Sequence, residues 1–174
     1  MLLAAKSAVP TSDRVVVIPL VLSQALEQEI TLFTAPPGYM PVGSLAAALH
    51  QRQQPVIWLR AAPEDHDPGV FLLSLINAAQ RLVPGVGAAT LEQMRRHPGP
   101  MLGWPALFAH LAHELATALP IDCCIVLEHI HFLNDSRPTL GLLGNHLLPA
   151  LLGDRTLILT AAHDLPEAAL PPQT

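Results

Sequence analysis

The sequence predicts an α/β domain with a largely parallel sheet, and three observations carry that prediction. Short apolar runs alternate with longer segments of helical periodicity along most of the chain. The run over residues 121–127 reads as an apolar strand of the kind that a parallel sheet buries on both faces. Eighteen prolines fall between the apolar segments instead of forming one tract, so they punctuate a globular unit. A βαβα order of this kind places a ligand crevice at the carboxyl ends of the strands.

Residues 1–14 read as a flexible N-terminal segment, residues 15–164 as the domain, and residues 165–174 as a tail or the start of a linker. Within the domain, Ile30–Thr34 is expected to be the first strand, residues 44–52 a helix and residues 56–59 the second strand. Asp67-Pro68 opens a long helix. An Asp side chain can accept from an orphan N–H, and a proline at the first helical position gives up none that was needed. Residues 70–82 are apolar almost all round, which predicts burial on more than one face. A further helix runs over 104–119, with Trp104, Leu107, Phe108, Leu111, Leu115 and Leu119 on one stripe, and Pro120 ends it. Residues 140–152 read as helical despite Gly141 and Gly144, with Pro149 a kink or early stop. Residues 155–160 read as the fourth strand.

The length of 174 residues fits one domain. Hydrophobic residues at 51%, charged residues at 13% and a mean hydropathy of +0.39 exclude intrinsic disorder. Aromatics are only 4%, so the core must be built from Leu, Ala, Val and Ile. A formal charge of -5 is the wrong electrostatics for a binder of phosphate backbones, and Arg95-Arg96 reads as a solvated helix end, so no direct nucleic-acid binding is expected. No run is long enough to span a membrane. The segment 15–22, with Lys6 and Arg14 before it, loosely mimics a signal-peptide core. Ser23, Gln24 and Glu27 after it favour a cytoplasmic chain.

Cys123 and Cys124 are adjacent in a strand, so their side chains point to opposite faces and cannot staple distant segments. Nine histidines raise a metal reading, centred on His110 and His113 beside Glu114, and on His129 and His131 sharing one side of a strand end. The order His110-Leu111-Ala112-His113-Glu114 is wrong for a metalloprotease helix. Surface histidines are the expectation, a histidine metal module the alternative, and no metal site is assigned. No nucleophile-elbow glycines surround Ser23, Ser44 or Ser74, and no catalytic residue is nominated.

Three segments carry a resemblance. The turn after the first strand reads Ala35-Pro36-Pro37-Gly38-Tyr39, followed by Met40-Pro41-Val42. The second is Pro55-Val56-Ile57-Trp58-Leu59, then Glu64-Asp65-His66-Asp67-Pro68, then Phe71-Leu72. The third is Ile125-Val126-Leu127-Glu128-His129-Ile130-His131. Together they resemble the N-terminal P-loop domain of MalT-like, LuxR-type ATP-dependent regulators of the STAND class. That family's loop runs Ala-Pro-Ala-Gly-Tyr-Gly-Lys-Thr-Thr, and its Walker B strand reads LVLDDYH. The likeness spans residues 18–166 in order. It implies a three-layer sandwich of P-loop NTPase type (RecA/ASCE). It also implies a nucleotide site at Ala35, Pro36, Pro37, Gly38, Tyr39 and Glu128, the last holding magnesium.

The sequence departs from the family where the chemistry sits. Met40 replaces the second loop glycine, Pro41 the lysine and Val42 the magnesium-binding hydroxyl. His129 replaces a second acid, and His163 stands where the family has an arginine after the fourth strand. Phosphoryl transfer rests on positioning and charge neutralisation, so a non-hydrolysing pseudo-ATPase is expected. No cofactor is expected beyond weakly held ATP or ADP with Mg. The expected partner is another protein, or the remaining domains of a larger regulator of transcription or signal transduction.

Overall fold

Ile30–Thr34 (β1), Val56–Arg60 (β2), Cys124–Glu128 (β3) and Thr156–Ala161 (β4) form one sheet in the order β1-β4-β3-β2, with every pairing parallel. The structure is a computed structural model and describes residues 20–35, 42–96, 103–133, 137–153 and 155–163. The helices are Leu20–Ala25 (α1), Val42–Gln51 (α2), Pro68–Gln80 (α3), Ala88–Arg96 (α4), Trp104–Ala118 (α5), Arg137–Leu142 (α6) and Leu148–Leu151 (α7). Two 3-10 turns, Pro63–His66 and Ile130–Leu133, follow β2 and β3. The expected N-terminal segment 1–14 and tail 165–174 lie outside the described residues.

Side chains alternate across the strands and sort the core into two clusters. Ile57, Leu59, Ile125, Leu127, Leu157 and Leu159 face α3, α5, α6 and α7. Trp58, Cys124, Val126 and Ile158 face Leu22 and Leu26 at α1 and Leu45, Ala46, Ala48 and Leu49 of α2. Helices therefore cover both faces, as the near-continuous apolar strands require. Cys123 and Cys124 fall in different clusters, on opposite faces as expected. Among the described residues, no helix is long and apolar enough to cross a membrane.

The ends of the helices show why they start and stop where they do. Asp67 Oδ1 accepts from the Gly69 N–H at 2.9 Å and the Val70 N–H at 3.0 Å, with Pro68 at the first helical position of α3. At the far end of α5, Arg155 Nη2 donates to the carbonyls of Ala116 at 2.7 Å and Leu119 at 3.0 Å, which satisfies acceptors the helix cannot pair itself.

Two expectations need correction. The third strand begins at Cys124, not at residue 121. Pro120 ends the helix and the Cys123 N–H bonds to the Pro120 carbonyl at 3.1 Å, a turn that leaves Ile121 68% exposed. The helix expected over 140–152 begins at Arg137 and is broken by a π turn, Leu143–Leu147, in which the Leu148 N–H reaches the Leu143 carbonyl. Pro149 follows directly and has no N–H to continue an α ladder, so the wider turn absorbs the register. Neither helix α1 nor the start of α4 was signalled, whereas Arg95 and Arg96 form the exposed end of α4 as expected, paired with Glu92.

Candidate functional site

The chain passes from β1 to the far edge of the sheet at β2 and returns through β3 to β4, which inserts beside β1. The connection leaving β1 runs to the α2 face, and the one leaving β3 runs to the opposite face. Such a reversal is where open α/β sheets take ligands, at the carboxyl ends of the strands. Ala35, Arg60, Glu128, His129, His131 and His163 follow or end those strands.

Glu128 is the one acid within the described strands, its side chain 4% exposed. The β2–β3 register sets Arg60 opposite it and places Trp58 two residues back on the same face. Both donate to Oε2, Trp58 through Nε1 at 3.1 Å and Arg60 through Nε at 2.9 Å. The other oxygen, Oε1, lies 3.4 Å from His129 Nε2. The backbone is pinned as well, with the Glu128 carbonyl accepting from the Ala61 N–H at 2.8 Å. A carboxylate so surrounded has its charge met from within the protein.

Directly after Glu128 the chain turns through His129 at φ 62°, a left-handed conformation that histidine tolerates better than bulkier residues. The His129 N–H donates to Thr160 Oγ1 at 3.1 Å. His129 and His131 thus do not share a strand face, because β3 has already ended. They meet instead through the turn, with ring centroids 5.6 Å apart. His163, beyond β4, comes to 5.3 Å from His131, and Phe132 to 4.4 Å. His131 Nδ1 accepts from the Ala162 N–H at 3.1 Å, so its proton resides on Nε2. Desolvation, then the nearby His129 and His163, lower the pKa of His131.

Of the residues that the resemblance nominated, Ala35 and Glu128 fall in the described part, and Pro36, Pro37, Gly38 and Tyr39 lie outside it, as do Met40 and Pro41. The Ala35 N–H is engaged, donating to the Ala161 carbonyl at 3.1 Å in continuation of the β1–β4 ladder.

The other histidine pair has a different surrounding. His113 is exposed, whereas His110 is half-buried with Nε2 3.6 Å from Glu114 Oε1. Glu114 itself accepts from the Thr90 N–H at 2.9 Å, from Thr90 Oγ1 at 2.6 Å and from the Ala89 N–H at 3.4 Å, so it caps the start of α4 from a neighbouring helix. No group of three metal-ligating side chains is gathered among the described residues. Asp65, which the sequence places in the second resembling segment without a role, is fully buried after β2. It accepts from the Ala62 N–H and from Ser74 Oγ, each at 2.8 Å, and ties the first 3-10 turn to α3. An acid five residues after the strand end, with Asp67-Pro68 just beyond it, was the available signal.

Comparison of the chain with protein-family models, with curated proteins and with solved structures finds no match in any of the three.

Proposed function

We propose that this chain is a degenerate STAND-type NTPase domain of a MalT/LuxR-like regulator, one that does not hydrolyse nucleotide and acts through protein–protein contacts in signalling or transcription control. The observation that carries this reading is the state of Glu128. It stands where the resemblance puts the magnesium-binding acid, yet Trp58 and Arg60 occupy one oxygen and His129 faces the other. A magnesium ion would have to compete with a guanidinium for that carboxylate. The lost lysine and hydroxyl at Pro41 and Val42 point the same way.

A second reading, a weak ATP- or ADP-binding switch held by Ala35 to Tyr39 and Glu128, draws support from the parallel sheet. Its carboxyl edge is where ligands of α/β folds sit. Isothermal titration with Mg-ATP and Mg-ADP at low salt separates the two, with a MalT-like domain carrying an intact loop as the positive control. The first reading expects no heat from this chain while the control binds. A stoichiometric site would replace it with the second.

A further inference from the structure

We propose that His131 is an acid-opened clasp, joining the turn after β3 to the turn after β4 at the carboxyl edge of the sheet. The inference stands on geometry and holds whether or not a nucleotide binds. The clasp is the bond from the Ala162 N–H to His131 Nδ1, which links segments 31 residues apart in sequence. That bond needs a lone pair on Nδ1. A protonated imidazole has two N–H groups and no acceptor, so uptake of one proton converts the bond into a contact between two donors.

The surroundings sharpen the response. His129 and His163 flank the ring at centroid distances of 5.6 and 5.3 Å, so a positive charge on either opposes protonation of His131. The second 3-10 turn packs against β4, the first 3-10 turn and α6. After β4 comes His163. The first turn carries Glu64, Asp65 and His66, and α6 carries Arg137. Asp65 is committed to Ala62 and Ser74, and His66 Nδ1 to the Pro63 carbonyl. Glu128 lies beyond His129, already paired with Arg60. Among the described residues, the charges that shift His131 are those of the two histidines, and both push it toward the neutral form.

The sign follows from the lowered pKa. The native chain binds its proton at His131 less readily than the unfolded chain does, so the stabilisation is complete above the ordinary histidine value near 6.5. It is lost as pH falls from there through the native value. The same linkage applies to local opening of the clasp, in which His131 swings free of Ala162 while the sheet stays intact.

The test uses the full 174-residue chain. Long-range nitrogen NMR reads the tautomer and titration of each histidine, and hydrogen exchange reads the Ala162 amide. At pH 7 His131 should carry its proton on Nε2. Between pH 7 and pH 5, exchange at Ala162, corrected for its intrinsic pH dependence, should rise roughly tenfold. His131→Asn keeps an acceptor for Ala162 and cannot titrate, so this rise should disappear, whereas His113→Asn should leave it intact. Should His131→Asn fail to fold, His163→Asn gives an independent reading. It removes one opposing charge and should raise the His131 midpoint. A proton on Nδ1 at pH 7, an undiminished rise in folded His131→Asn, or an unmoved midpoint in His163→Asn overturns the proposal.

Discussion

Trp58 Nε1 donates to Glu128 Oε2 at 3.1 Å across neighbouring strands, and both side chains are buried on the face of the sheet that α2 covers. The indole is thereby both core and polar partner. Burying a charged acceptor is costly unless donors meet it, and β2 supplies two of them at positions 58 and 60.

Trp58→Phe retains most of the ring and deletes the N–H. It is expected to cost about 1–3 kcal/mol from the bond alone, with lost packing added. Denaturant unfolding of Trp58→Phe, Glu128→Gln and the double variant isolates the pairing. A coupling energy below about 0.5 kcal/mol would show that the two side chains are merely adjacent.

Gly87 and Gly85 make a contrasting pair in the turn between α3 and α4. Both have positive φ, 78° and 87°, but a Cβ at Gly87 would lie 2.7 Å from Ile76 Cγ1 whereas one at Gly85 meets nothing within 4 Å. Gly85→Ala should cost about 1 kcal/mol of backbone strain. Gly87→Ala should add about 1–3 kcal/mol for overpacking. Equal midpoints in urea would refute the packing argument.

Glu114→Ala removes the acceptor that three donors at the start of α4 share. A loss of about 0.5–2 kcal/mol is expected, in the range of other helix caps. Amide exchange should accelerate within Ala88–Arg96 before it does in the sheet. Uniform acceleration would mean that the carboxylate supports the core instead.

Burial pushes the Cys123 thiol up to about 11 and the Cys124 thiol up to about 12. Neither forms thiolate at neutral pH, so a thiol-specific chromogenic reagent should label the native chain slowly and the unfolded chain at once. The raised values also set an alkaline limit. The unfolded thiols release protons first, so the stabilisation is whole below about pH 9 and declines as pH climbs toward the native values. Stability that is flat from pH 8 to pH 11 would contradict this.

The elements that sequence periodicity exposed were those whose local chemistry agreed with their fate. Ile30–Thr34 and the Asp67-Pro68 helix start are where they were expected. The broken helix ahead of Pro149 was half legible, since proline announces a break but not the π turn that accommodates it. The carboxyl edge was harder. Glu128 was nominated through a motif, but its partners Trp58 and Arg60 come from a strand some 70 residues earlier, and only register brings them together. His163 meeting His131 depends likewise on β4 lying beside β3. Long-range pairing leaves no trace in local periodicity.

The placement of β4 has a consequence for how this chain is made. β1 has a single neighbour in the described sheet, and Ile30 pairs with Leu157. Ile30–Thr34 therefore emerges from synthesis before Thr156–Ala161 does, and its ladder within the described sheet waits for that strand. β2 and β3 can pair with one another in the meantime, but the β1 ladder must close a loop of most of the domain. Cutting the chain within β4 should for that reason release β1 from its pairing in the described sheet, leaving a sticky edge open to other chains.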